Sequence, residues 1–172
     1  MALATLEDLL ASQVRDLTSA EARVSWAFAG LTDQAAHERL ANAFWQSHGE
    51  AEGRISRLAE LAGLLGMAPG TGQSRGIEGI LHDSAATLGK GGAILVLDAG
   101  LIAGARRLHH QMISGYSAAR ALAELLGLTG IGLLLDASLS EEESADRALA
   151  SLAESTVNPG ALFAEMLDGQ SH

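Results

Sequence analysis

The chain contains no cysteine, two prolines and few aromatic residues (two Trp, one Tyr and three Phe) in 172 positions. Without thiols there is no disulfide framework, thiolate zinc site, cysteine nucleophile or iron–sulfur cluster. Any metal must be held by oxygen and imidazole donors. Basic side chains are also scarce: 11 Lys and Arg stand against 21 Asp and Glu, a formal charge of −10. Phosphate contact needs a basic stripe, so no nucleic-acid partner is expected. Long apolar runs are missing too. The most apolar stretch, Ala93 to Ala105, is broken by Asp98 and followed by Arg106 and Arg107. It is shorter than the ~20 residues of a membrane span. The opening residues carry Glu7 and Asp8 and no basic run, so they do not read as a signal peptide. The expectation is a cytoplasmic protein with no membrane partner.

What is present is 48% hydrophobic residues, mostly Ala and Leu. That content is too high for disorder and favours helix over strand. Length suggests one domain. Helical patterns lie near residues 5–30, 33–66, 92–126 and 129–155, with a shorter one at 75–88. Thr5 followed by Asp8 reads as a capping box, and Asp33 as the cap of the second helix. Gly66 and Gly127 each follow a Leu pair and suit helix C-termini. The segments LAELAGLLG (58–66) and LAELLGLTG (122–130) echo one another at the ends of two long helices. Two helical hairpins joined by a crossover follow from this. The expected fold is therefore all-α, an up-down four-helix bundle with an additional short helix between the second and third long helices, a crossover that permits the topology seen in ferritin-like folds. Residues 1–156 form the bundle, and residues 157–172 form a tail with a short docking helix.

Apolar residues spaced alternately by three and four mark the buried face of a bundle helix. The first helix reads Leu10, Val14, Leu17, Glu21, Val24, Phe28. The second reads Ala41, Phe44, His48, Ala51, Ile55, Leu58, Ala62. The third reads Asp98, Ile102, Ala105, His109, Met112, Tyr116, and the fourth Leu135, Leu139, Glu142, Asp146, Leu149. Glu21, His109, Glu142 and Asp146 thus fall on core rows, with His48 added by the second helix, or Glu50 if that helix is rotated. Burying a lone charge costs several kcal/mol, roughly, unless it is paired or binds a metal. Carboxylates gathered from facing helices, with imidazole, suit iron or manganese. Two bland readings stand beside this: Glu21 pairing with Arg23 or Arg106 at the boundary, and residues 140–146 as a solvated acidic turn. Gly100, Gly104 and Gly115 mark close approach of a neighbouring helix or of an apolar ligand. Trp26 and Trp45 read as packing or interface residues. GTGQSRG (70–76) follows a helix and lacks dinucleotide-fingerprint spacing, so it reads as a loop.

The segments TLEDLLASQVRDLTSAEARV, AFWQSHGEAEGRISRL, DAGLIAGARRLHHQMISGYSAARALAELLG and LLLDASLSEEESADRALASLA resemble, in order, the four helices of YciF-type ferritin-like bacterial stress proteins. The resemblance implies a homodimer and a carboxylate-bridged dinuclear metal site, with Glu21, Glu50, His109, Glu142 and Asp146 as the candidate ligands in this chain. It also exposes departures. His109 and Met112 stand where the third helix usually carries two acids. In the second helix Gly49 and Glu50 fill the acidic pair, and Arg54 takes the later ligand position. A dinuclear site takes about four carboxylates and two histidines, and Met112 is a poor ligand for a hard cation. Three outcomes are open: one metal, a rearranged pair, or a metal-free polar core with Arg54 paired to Glu142 or Glu21. The functional expectation is a stress-associated protein with a degenerate metal site and a structural or interaction role. The alternative is a di-iron or di-manganese oxidoreductase acting on oxygen or peroxide.

Overall fold

Four long helices bury rows of residues spaced by four and three, the period that keeps one seam against its neighbours. These rows contain Leu10, Val14, Leu17, Val24 and Phe28; Leu40, Phe44, Ala51, Leu58 and Leu61; Ile102, Ala105, Met112, Tyr116 and Ala119; and Ile131, Leu135, Leu149 and Leu152. The computed structural model describes residues 3–67 and 74–169. Its elements are α1 (Leu6–Gln34), α2 (Glu38–Leu64), α3 (Arg75–Leu88), α4 (Ile94–Leu125) and α5 (Thr129–Leu152). A π-helical turn (Ala153–Val157) then leads into α6 (Asn158–Gly169). The described residues contain no strand, and none of their helices is long and apolar enough to cross a membrane.

Helices α1 and α2 form one hairpin, and α4 and α5 form another. Along the α1–α4 seam, Leu17 meets Gly115, Phe28 stacks on His109, and Asp98 reaches Ala36 and His37, so these helices run antiparallel. Along the α2–α5 seam, Arg57 bonds Ser138 and Arg39 bonds Thr156, again antiparallel. Helices α2 and α4 therefore run the same way, and α3, which joins them in the chain, runs antiparallel along α4 and touches α1. Gly104 is where α3 comes closest: a Cβ there would lie 2.7 Å from Ser84 Oγ. Of the two readings of these glycines, close helix approach describes Gly104 and Gly115.

The ends of the elements have identifiable causes. Thr5 Oγ1 accepts from the Asp8 N–H, and the Asp8 carboxylate accepts from the Thr5 N–H, each at 3.0 Å. This is the expected capping box. Gly66 (φ +63°) and Gly127 (φ +71°) adopt the left-handed conformation that ends α2 and α4. The first corner differs from expectation. Helix α1 continues to Gln34, Asp33 lies within it, and His37 caps α2 by accepting from the Arg39 N–H at 3.2 Å. The reason lies far along the chain. Asp98 of α4, fully buried, accepts from the N–H groups of Ala36 (3.0 Å) and His37 (2.9 Å). Further on, Asn158 N–H bonds Ala153 O across the π-turn, just before Pro159, which has no N–H to give. Val157 and Ala161 bury this last segment, and α6 packs on α4.

The second helix is turned from the expected row by about 50°, half of one position. Leu40, Ser47, Arg54 and Leu61 face inward beside the shared Phe44, Ala51 and Leu58, while His48 and Ile55 move to the flank. Two leucines at Leu40 and Leu61 carry more apolar surface than Ala41 and Ala62, and they draw Arg54 in with them. Asp98→Ala removes a charged acceptor from two backbone donors. It is expected to cost about 2–3 kcal/mol, read as a lower urea midpoint at unchanged slope.

Candidate functional site

The inward rotation of α2 places the Arg54 side chain, fully buried, at the centre of the bundle. Its Nε donates to Glu21 Oε1 of α1 at 2.7 Å. Its Nη2 lies 2.8 Å from Glu142 Oε1 of α5, within ion-pair reach but not aligned for a hydrogen bond. Tyr116 of α4 donates its hydroxyl to the same Glu21 Oε1 at 2.7 Å. The other Glu142 oxygen, Oε2, meets His109 Nδ1 at 2.5 Å, the imidazole donating to the carboxylate in the tautomer that carries its proton on Nδ1. The His109 ring stacks on Phe28 with centroids 4.9 Å apart. Each of the four long helices thus contributes at least one polar side chain to a single layer. Toward solvent, Glu141 lies 3.6 Å from Arg54 Nη1 and pairs with Arg57.

The electrostatics follow from two carboxylates and one fixed cation in a fully buried site. Burial, helped by the charge of Glu142, pushes Glu21 up to about 7 against the opposing pull of Arg54 and Tyr116. Burial disfavours the charged form of Arg54, but Glu21 and Glu142 outweigh it and hold the guanidinium protonated. Tyr116 is raised well above its usual value, first by burial and then by Glu21. A proton held on Glu21 brings the carboxylate–guanidinium group to neutrality.

Of the residues picked from sequence, Glu21, His109 and Glu142 come together. Asp146 is one turn further along α5 and is gripped by Arg106, with Nε to Oδ1 at 2.8 Å and Nη2 to Oδ2 at 3.1 Å. Burial acts to raise Asp146, but these bonds and the charges of Arg106, His110 and His109 hold it below the usual range. Glu50 is half-buried on α2 and accepts from Gln46 at 2.8 Å. His48 sits outside the layer, its Nδ1 3.0 Å from Ser25 Oγ. Arg23 pairs with Glu78 rather than with Glu21. The hydroxyl of Tyr116 was not singled out as polar, although a buried phenol needs a partner. Its place on the row with His109 and Met112 was the available signal.

An antiparallel pair of hairpins, a crossover helix and a polar layer at mid-height define a ferritin-like helical bundle. Residues 5–162 match the family described as a domain of unknown function (DUF892), and the chain belongs to that family. It is 31% identical over 162 residues to protein YciF of Escherichia coli strain K12, covering 92% of this chain and 96% of that one. The structure of the E. coli stress protein YciF matches with a TM-score of 0.85 at 29% identity, covering 90% of this chain and 98% of that one. YcfI of Rhodopseudomonas palustris, for which a structural role has been suggested, matches with a TM-score of 0.84 at 30% identity, over 87% and 95% of the two chains. A ferritin-like diiron-carboxylate protein of Bacillus anthracis shares the fold at a TM-score of 0.67 and 15% identity, over 87% and 99%.

Sharing a fold with a diiron-carboxylate protein raises the question of fit. Among the described residues no three His, Asp or Glu side chains are disposed to hold one ion. Oxygens of Glu21 and Glu142 instead face the Arg54 guanidinium, at 2.7 and 2.8 Å. The donors present fit Arg54 rather than a pair of divalent ions.

The raised Glu21 carboxyl has a signed consequence. Its contribution to stability is fully present below the ordinary value of 4.5 and is lost as pH rises through about 7. The loss is on the order of 3 kcal/mol. Chemical unfolding between pH 5 and pH 8 is expected to show this decline, and Glu21→Gln to flatten it. Arg54→Ala, which strands two buried carboxylates, is expected to cost about 3–5 kcal/mol in the same assay at pH 8.

Proposed function

We propose that the chain acts as a ferritin-like, stress-associated protein with a structural or interaction role. In this reading it works as a cytoplasmic homodimer whose carboxylate site is a degenerate metal site. The observation that carries the reading is the ion pairing of Arg54 with Glu21 and Glu142, which uses acids of the kind that would otherwise hold a metal as counter-ions of a side chain. The likeness to the E. coli stress protein YciF supports the stress association, and the likeness to YcfI supports a structural role. A homodimer is supported by two large aromatic side chains left open on the first hairpin, Trp26 at 76% and Trp45 at 61% exposure. The competing reading, an oxidoreductase using iron or manganese, draws on Glu21, Glu142 and His109 sharing one buried layer.

Elemental analysis after reconstitution with iron or manganese separates the two. The expected result is no stoichiometric metal and no peroxide or ferroxidase activity. One bound iron or manganese per chain, lost in Glu21→Ala, would overturn the proposal. Light scattering on a sizing column is expected to give twice the chain mass, with the Trp26→Ser/Trp45→Ser double variant shifted toward monomer.

A further inference from the structure

We infer that the first hairpin carries a binding site for a small apolar carboxylate, in a cavity between the early part of α1 and the late part of α2. The cavity measures about 290 Å³. Its buried side is made by Val14, Leu58 and Ala62, and Ile55, Ala59 and Met67 lie nearer the solvent. Two polar side chains border it. Thr18 donates its hydroxyl to Val14 O at 2.8 Å and is already satisfied. Arg15 is not. It is half-buried at the cavity, and among the described residues its guanidinium makes no hydrogen bond or ion pair. The positions three and four away on α1 hold Ala11, Ser12, Thr18 and Ser19, so its own helix offers no acid. Asp8 acts on Arg15 from two turns back, but its carboxylate is committed to the N–H groups of Ala4 and Thr5. In a chain of charge −10, Arg23, Arg54, Arg57, Arg106, Arg120 and Arg147 each pair with an acid. The cavity at the α4–α5 turn, of similar size, is bordered by Glu124 and Asp136 beside Arg120. No Asp or Glu borders the one beside Arg15.

These features select the guest. Apolar cavities of about 150 Å³ stay dry and accept a molecule the size of benzene, and small-molecule sites begin near about 300 Å³. The volume therefore suits a body of about eight carbons, a short chain or a single ring, and excludes a two-tailed lipid. The unpaired guanidinium selects an anionic end, and a carboxylate matches its paired N–H groups.

Octanoate is the probe, with octanol as the same chain without the charge and acetate as the charge without the chain. Each is titrated calorimetrically into the full chain, and urea unfolding is followed with and without it. Octanoate is expected to bind one equivalent per chain and to raise the urea midpoint. Acetate is expected to do neither. Octanol on the wild type, and octanoate on Arg15→Gln, are expected to bind about fivefold more weakly, the scale of a partly exposed ion pair. Ala59→Leu fills the cavity from an exposed position and is expected to abolish binding. Gly63→Leu is a second blocking variant, at a position where a Cβ meets nothing within 4 Å. Circular dichroism checks that both remain helical. No saturable octanoate binding overturns the inference, and so does binding that both folded blocking variants leave unchanged. Equal affinity for octanol and octanoate, with Arg15→Gln silent, overturns it as well. If octanoate does not bind and Ala59→Leu shifts the sizing-column mass toward monomer, a second copy of the chain covers the cavity and the inference is again overturned.

Discussion

The contact of one guanidinium with carboxylates on two other helices constrains everything around it. Arg54 is fully buried, so its charge is tolerable because Glu21 and Glu142 lie within ion-pair distance. Glu21 is on α1, Glu142 on α5 and Arg54 on α2, and a hydrogen bond loses its strength over a few tenths of an ångström. The axial register of three helices is therefore tied to one side chain. Tyr116 and His109 extend the constraint to α4 by using the remaining faces of the same two acids. Apolar rows alone do not impose this, since a seam of Leu and Ala packs nearly as well after sliding by a heptad.

The cluster also explains an apparent waste in the design. Buried ion pairs add little net stability compared with apolar side chains of the same volume. Their contribution here is specificity: a register error of one turn on any long helix would strand a charge in the core. The rest of the layer is correspondingly plain, with Phe28, Met112 and small residues such as Ala51 and Ala105 beside the charged groups. Acidic groups not needed inside are used at the edge, where Asp146 fastens Arg106, and Glu141 joins Arg54 to Arg57.

Much of this architecture was written in local patterns. The four long helices, the short crossover helix, the Thr5 cap and the glycine stops at Gly66 and Gly127 all follow from spacing and turn chemistry within a few residues. The core rows of α1 and α4 were legible because each has a single well-populated face. The row of α2 was not. Two flanks of nearly equal merit share Phe44, Ala51 and Leu58, and spacing alone favours the one through His48 and Ile55, although an inward Arg54 paired with Glu21 or Glu142 was among the three outcomes left open. Arg54 faces inward because of leucines seven residues to one side and fourteen to the other, at Leu61 and Leu40, together with acids on helices that local spacing does not see. Asp146 falls on the buried row of α5 where the spacing places it, one turn beyond Glu142, but the Arg106 that meets it there stands on α4 and cannot be read from the spacing of α5 alone.

Asp98 shows what such long-range dependence means for a chain being made. The residues that open α2 have their N–H groups satisfied by a carboxylate 61 and 62 positions later. While the first hairpin is leaving the ribosome, that carboxylate has not yet been synthesised. The corner between α1 and α2 therefore remains incompletely capped, and hydrated, until the crossover has been made and α4 docks. The capping of the first hairpin's corner is thus supplied by the second half of the chain, a contact of long sequence separation that couples the two hairpins.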